Sequence, residues 1–446
     1  MMKFSSVSFF FISGLCLSSY SSVVSSLELG VDLYTGADYS NNVSLASTNT
    51  EDDFKQILGL NVLVKEERKR FNADASFNLE REHYYNNTFS DQTSLTTGFG
   101  IFNFDLVEDF LDWRTSFTRT QVLNNTFDND TPDNREQRNI LRTGPTMTYR
   151  VSRSSTVSTS ANYTLVENSD DEASDTKRVT GNLTYGYSVN NTTSLSLNTV
   201  YDEIIDGDGS EELTNSNINV GMKRLFSHGQ LNFNYGVTKT RSDIAETVTG
   251  NFFDIGFTRE QFFWHSVNLQ YREDLSDTSI GFANDEEGFQ NENGPVDGGE
   301  NSNGENQNLQ GVSSKIDIVT RKQFNMQLSR VLGSYQYVVS GFWRNEKYQI
   351  LEEDSKSRGF SLGLNKSLTT DLELGVSYSY SLNDYFDQPL IGKERTGSYR
   401  FNSTYAVTRS LNLSGNLQYA IRMNSRNQVR EYEEFSSGVR VSWKLL

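Results

Sequence analysis

Apolar and polar residues alternate along most of the chain after residue 26. From Leu372 to Leu382 every second residue is apolar or aromatic, and Glu373, Gly375 and three serines lie between them. The same alternation recurs in many segments, including 71–79, 157–165, 181–187, 231–237 and 411–419. A period of two is typical of β-strands whose two faces meet different surroundings. No long stretch has a helical period, so the pattern predicts an all-β fold.

The alternating segments predict about twenty strands, with eighteen or twenty-two as near alternatives. We expect them near 27–39, 54–65, 70–83, 92–105, 111–122, 138–151, 155–166, 176–189, 192–203, 212–225, 229–240, 247–260, 264–275, 321–332, 335–347, 356–368, 371–384, 393–407, 410–423 and 432–445. Pro145 falls inside one of these segments, and since proline cannot donate to a strand ladder we expect a bulge there.

The connections between the predicted strands alternate in length. Short turns such as EERK and SHG alternate with long polar loops such as LNNTFDNDTPDNREQ. Short turns at one end and long loops at the other are typical of an outer-membrane barrel. A closed barrel has no free edge and satisfies every backbone group inside lipid, whereas a soluble sandwich of twenty strands would have edges to protect. We therefore predict a transmembrane, antiparallel, up-and-down β-barrel whose apolar face contacts lipid.

The N-terminus and the composition agree with export to that membrane. Hydrophobic residues make up only 35% of the chain, and the mean hydropathy is −0.58. Residues 1–26 contain Lys3, a short apolar run and a small-residue site before Leu27, which predicts a cleaved signal peptide, with a buried N-terminal strand as the alternative. The barrel would then comprise residues 27–446. The single cysteine, Cys16, lies in the predicted signal peptide, which excludes a disulfide framework or a Cys-based zinc site in the barrel.

The charge is strongly negative, at −18, which excludes a nucleic-acid partner because such a partner needs a basic surface. Much of the acid lies in predicted loops, above all in residues 276–315, which we interpret as a long acidic extracellular loop. The segment DGDGSEE (206–212) has oxygen ligands at Asp206, Asp208, Ser210 and Glu212, but it lacks the full spacing of a calcium loop. We therefore interpret it as a solvated loop and expect neither a metal nor another cofactor.

Charged residues on the parity opposite to the apolar face are predicted to line the lumen. An Arg or Lys side chain on the lipid side would cost about 2–4 kcal/mol near the midplane. A lumen rich in arginine favours anionic or sugar solutes, whereas the alternative is that these charges pair across a filled lumen that conducts little. The candidates are Asp74, Glu80, Arg114, Arg142, Lys223, Arg272, Arg344, Glu373, Arg400, Arg422 and Arg440.

Catalytic chemistry has little support in the sequence. His83, His228 and His265 are far apart, and no GxSxG, HExxH or phosphate-loop motif is present. We predict that the protein is not an enzyme, with an enzyme site at the barrel rim as a third reading after a pore and a non-conducting barrel.

Two segments resemble known families. Ser436, Gly438, Val441 and Trp443 resemble the C-terminal signal that the barrel-assembly machinery of Gram-negative bacteria recognises, although Lys444 and two leucines follow here. LELGVDLYTGADYSNNVSLAST (27–48) and the general layout of the chain resemble outer-membrane barrels of PEP-CTERM/exosortase and exopolysaccharide gene clusters. That resemblance implies an outer-membrane channel or accessory pore in the export of polysaccharide or surface components. Its partners would be outer-membrane lipid, lipopolysaccharide and export-system components, and its runner-up role is a non-conducting barrel that displays acidic loops.

Overall fold

The computed structural model describes residues 27–445 apart from 125–127, 170–174, 207–211, 244–245, 263–264, 278–316, 350–353 and 387–391. The predicted signal peptide, the centre of the DGDGSEE segment and nearly all of the predicted acidic loop lie outside these residues. Within the described ranges no helix is long and apolar enough to cross a membrane.

Twenty strands form a single antiparallel sheet. Each strand pairs with its neighbours in the sequence, and the first strand pairs with the last, so the sheet closes into an up-and-down barrel. The strands are β1 Glu28–Ser40, β2 Asp53–Arg68, β3 Phe71–Tyr84, β4 Gln92–Val107, β5 Leu111–Leu123, β6 Arg135–Arg150, β7 Ser155–Asn168, β8 Thr176–Asn190, β9 Thr193–Asp206, β10 Glu212–Phe226, β11 Gly229–Ser242, β12 Val248–Phe262, β13 His265–Asp277, β14 Ile318–Leu332, β15 Tyr335–Tyr348, β16 Ser355–Ser367, β17 Leu372–Tyr385, β18 Lys393–Ala406, β19 Leu411–Asn424 and β20 Tyr432–Lys444. Two single-turn 3-10 helices, Pro132–Asn134 and Gln428–Arg430, lie in long loops.

The predicted fold class is confirmed, and the strand boundaries differ mainly at the long-loop ends. There β6 and β14 begin about three residues before the predicted starts, and β9 and β13 continue past the predicted ends. The residues added at these ends do not alternate between polar and apolar, so the sequence pattern gives no signal there. The predicted acidic loop accordingly starts after β13, because Ser276 and Asp277 are strand residues.

The bulge expected at Pro145 is absent. Thr143 pairs with Tyr163 and Thr146 with Ser160 in an unchanged register, and only Gly144 and Pro145 leave the ladder with β7. Pro145 has no N–H to donate, and an added Cβ at Gly144 would overlap the carbonyl oxygen of Ala161. The two strands therefore stay in register because glycine lets the backbones approach each other.

Large apolar side chains cover the outside of the barrel wall. Successive outward positions of β17, for example, are leucines, Val376 and tyrosines, and Val376 is 54% exposed. The same parity carries Leu362, Phe360 and their neighbours on β16. An exposed apolar band around a closed barrel is the surface that a membrane covers.

Candidate functional site

The lumen changes character along its length. On β2 the inward side chains Asp53, Ile57 and Asn61 are buried, whereas Lys65 and Glu67 at the short-turn end are exposed. Strand β5 shows the same change, from exposed Asp112 and Arg114 to buried Ser116, Thr118 and Val122. The lumen is therefore open to solvent in its short-turn half and packed at the opposite end, which we call the long-loop mouth.

The predicted lumen residues all lie on the inward parity of their strands. Four of them, Asp74, Arg114, Lys223 and Glu373, are exposed in the short-turn half. The others are partly buried, namely Glu80, Arg142, Arg272, Arg344, Arg400, Arg422 and Arg440. These positions leave open which of them contact a solute, so their functional role stays a prediction.

Some of the predicted residues are held by defined contacts. The Tyr34 hydroxyl lies 2.7 Å from both Asn78 and Glu80, and the guanidinium of Arg440 lies 4.8 Å from the Tyr34 ring centroid. Arg400 donates from Nε to Gln418 at 3.0 Å. The inner wall is thus lined by interlocked tyrosine, amide and arginine groups.

One side of the long-loop mouth is covered by what we call the hairpin tip, residues 274–277 of β13 with 317–319. Strand β13 pairs with β12 only up to Glu273, and beyond it pairs with β14 alone. Leu275 and Ile318 then pack against Ile204 and Leu213 of β9 and β10. Every residue of the hairpin tip is at most 5% exposed. Residues 274–277 have separated from β12 and lie over the inner face of β9–β12, whereas Val319 still pairs with Tyr348 of β15.

An ionic contact anchors the hairpin tip to a distant strand. The Arg178 guanidinium on β8 lies 2.8 Å from Asp202 of β9 and 3.5 Å from Asp277. Asp277 has no exposed surface, and its partner strand is five strands away around the wall. The pairing therefore spans part of the mouth and does not merely link neighbouring strands.

The other side of the mouth is crossed by residues 128–134 of the β5–β6 connection, which we call the crossing loop. Asn129 donates from Nδ2 to the carbonyl oxygen of Leu45 at 2.6 Å and accepts from Nη1 of Arg422 at 3.0 Å. Leu45 lies in the β1–β2 loop and Arg422 lies on β19. The crossing loop therefore contacts wall segments several strands from its own anchor points.

Glu394 is the centre of the ionic group behind the crossing loop. Its Oε2 lies 2.6 Å from Nη2 of Arg422 and 3.2 Å from Nη2 of Arg430, and the residue is only 4% exposed. Burial and the neighbouring Arg422 charge lower the pKa of Arg430, and Glu394 opposes that change. On adjacent strands, Arg321 and Glu346 form a further pair at 2.7 Å.

Sequence reasoning identified Arg422 but missed its partners and the opposite anchor. Arg178, Asp202, Asp277, Glu394 and Arg430 lie near the long-loop ends of strands or in a long loop, and alternation does not say which of these residues contact each other. For Asp277 the parity of β13 points outward, and only the separation of residues 274–277 from β12 turns it inward. A concentration of Arg and acidic residues at the long-loop ends was the one available signal.

The three histidines show no catalytic arrangement in the described residues. His83 Nδ1 lies 2.8 Å from Asp91 on the outer surface, and His265 contacts Tyr337 near a short turn. Among the described residues no group of His, Cys, Asp and Glu could hold a metal ion. Of the predicted assembly signal, Val441 and Trp443 face outward on β20, while Ser436 and Gly438 pair with Ser40 and Asp38 of β1; recognition by the assembly machinery stays a prediction.

Several solved structures are similar to this chain in architecture. The FrpB iron transporter from Neisseria meningitidis (F5-1 variant) aligns with 94% of this chain and 82% of its own at 10% identity, with a TM-score of 0.48. OpdQ from Pseudomonas aeruginosa aligns with 94% of this chain and 100% of its own at 10% identity and a TM-score of 0.41. An OmpT loop-deletion mutant, an outer membrane protein of Vibrio cholerae, aligns with 95% and 100% at 8% identity and a TM-score of 0.38. All three TM-scores lie below 0.5, and the likeness implies nothing about transported solutes.

No protein-family model matches the sequence, and no curated protein matches it. The expected association with PEP-CTERM/exosortase clusters therefore stays a prediction. The closed wall, apolar outer band, short turns and long loops are those of integral outer-membrane proteins of Gram-negative bacteria, and this chain forms a barrel of that class.

Proposed function

We propose that the protein is a conduit for polar solutes whose long-loop mouth is closed in the conformation described above. The observation that carries this proposal is the change from exposed to buried inward side chains along the same strands. A barrel that served only as a scaffold would have no need of a solvated, charged half-lumen. The crossing loop is tied to distant wall segments by the side chain of Asn129, so it can move without breaking the wall.

The narrower role that we propose is export of a polysaccharide or another surface component. The inner wall supports it because tyrosine, amide and arginine groups such as Tyr34, Asn78 and Arg440 suit the hydroxyl and carboxylate groups of sugars. The resemblance of residues 27–48 to barrels of exopolysaccharide clusters supports the same role.

A specific observation favours a second candidate, a barrel that does not conduct. The mouth contains buried ion pairs, Arg178 with Asp277 and Arg422 with Glu394, that could be permanent structure. In that case the long loops would act as an interaction surface and the lumen would stay shut.

Single-channel recording in planar bilayers separates the two. Asn129→Ala removes the two side-chain hydrogen bonds that tie the crossing loop to Leu45 and Arg422, and the loss of two hydrogen bonds of about 1 kcal/mol each shifts the closed–open ratio roughly thirtyfold. We expect rare openings for the wild type and a much larger open fraction for the variant. Asn191→Ala, in the exposed β8–β9 turn at the other end, is the matched control and should behave as the wild type.

Silence of both the wild type and Asn129→Ala, with the protein folded and inserted, would overturn the conduit and favour the non-conducting barrel. The narrower role predicts that an anionic polysaccharide added to one chamber reduces the current of the open variant. An unchanged current would remove the polysaccharide role and leave a conduit for smaller solutes.

A further inference from the structure

The outer surface carries a concentration of positive charge next to the long-loop mouth, although the chain as a whole has a charge of −18. On strands β15 to β18 the outward parity carries five exposed cations; apart from Lys393, which forms an ion pair with Asp384, they are Lys347, Lys356, Arg358 and Arg395. We call these residues the basic rim. They face away from the lumen, so they take no part in the mouth described above.

The basic rim directly adjoins the apolar band. Arg358 pairs with Trp343 of β15 and with Leu382 of β17, and Leu382 pairs with Arg395 of β18. The next outward position toward the membrane centre on β16 is Phe360, which is 42% exposed. The cations therefore lie where acyl chains end and lipid headgroups begin.

Acidic side chains leave this positive charge largely unbalanced within the described residues. Asp384 lies between Lys356 and Lys393 on adjacent strands, and its carboxylate forms an ion pair with Lys393 at 3.3 Å. Lys356 lies over the Phe386 ring, with Nζ 4.8 Å from the centroid, a contact that leaves its charge available. No described carboxylate forms an ion pair with Arg358, Arg395 or Lys347.

We propose that the basic rim binds the phosphate groups of a phosphorylated glycolipid in the outer leaflet, that is, of lipopolysaccharide. Arg358 and Arg395 are two strands apart, about 10 Å between their backbones, and Lys356 and Lys347 extend the group of cations toward the long loops. A headgroup that bears phosphates at separate positions on its sugars can contact several of these cations at once, whereas a phospholipid offers a single phosphate. Guanidinium groups bind phosphate oxygens through paired hydrogen bonds, and the flanking Trp343 and Phe360 contact the acyl chains.

The test is binding of purified lipopolysaccharide to the refolded protein in detergent, with wild type compared to Lys356→Gln/Arg358→Gln. Each cation near a lipid surface contributes about 1 kcal/mol, so the double variant should bind about thirtyfold more weakly. The matched control is Lys366→Gln/Arg330→Gln, which removes two outward cations of the short-turn end, one of them on the same strand β16. The control should bind as the wild type does.

Three results would overturn the proposal. One is equal affinity of the wild type for lipopolysaccharide and for its dephosphorylated form. Another is equal weakening by the basic-rim variant and by the control. The third is equally strong binding of phosphatidylglycerol or inorganic phosphate, which would show that the basic rim binds anions without preference for lipopolysaccharide. Since all four substituted side chains lie on the outer surface, circular dichroism should show the same β content for every variant.

Discussion

Replacing Glu394 by glutamine is expected to open the long-loop mouth. Glu394 is 4% exposed and neutralises two arginines, with Arg422 at 2.6 Å and Arg430 at 3.2 Å. Glutamine has nearly the same shape but no charge, so both guanidinium groups would remain buried beside each other without their shared carboxylate. Loss of one partner of a buried pair costs about 3–5 kcal/mol, and the retained amide oxygen of glutamine favours the lower value of about 3 kcal/mol.

The substitution is expected to raise the free energy of the closed conformation only. In an open conformation the two arginines reach water and no longer need Glu394, so the variant destabilises the closed state selectively. About 3 kcal/mol corresponds to a change of roughly a hundredfold in the closed–open ratio. Planar-bilayer recording should therefore show long-lived openings for Glu394→Gln under conditions where the wild type opens rarely.

The matched control is Glu373→Gln, the same chemical change at an inward position in the exposed, short-turn half. It removes no described ion pair and should leave the open fraction unchanged, with at most a small change in ion selectivity. If Glu394→Gln opened no more often than Glu373→Gln, the ionic group behind the crossing loop would not be what closes the mouth. Burial of this ionic group would then not explain why the mouth is closed.

Two further predictions concern the wall. Gly59→Ala should destabilise the barrel by about 1–3 kcal/mol, because an added Cβ would overlap the ring of Tyr34. The control is Gly363→Ala, where the atom nearest to an added Cβ is 4.0 Å away. Equal denaturation midpoints of the two variants in guanidinium would contradict the prediction. Leu362→Arg should lower the free energy of folding into lipid vesicles by about 2–4 kcal/mol, because Leu362 faces outward near the middle of β16. Leu382→Arg should lower it by only about 0–1 kcal/mol, because Leu382 lies between Arg358 and Arg395 at the edge of the apolar band. Equal costs at the two depths would show that the apolar band is not centred as described.

Much of the wall could be predicted from the sequence because the alternation of apolar and polar residues in each strand shows which side faces lipid and which faces the lumen. The pattern at 372–382 identifies strand, parity and lipid-facing side without any partner, and alternating loop lengths order the strands around the barrel. Pro145 shows the limit of this reasoning. A local rule predicted a bulge, but Gly144 on the same strand let β6 and β7 keep their register.

The sequence by itself therefore determined the barrel, a strand number of about twenty and the inward parity of each strand, since these depend on periodicity within single strands. Only the tertiary structure decided that the lumen is open at one end and packed at the other. Asp277 reaches Arg178 because residues 274–277 separate from β12, and Asn129 reaches Arg422 because the crossing loop spans several strands. Such contacts join residues far apart in the chain, and no periodic signal within a strand specifies their partners. The basic rim depends on both the sequence and the tertiary structure. Strand parity turns each cation outward, and the sheet brings Lys347, Lys356, Arg358 and Arg395 together on neighbouring strands.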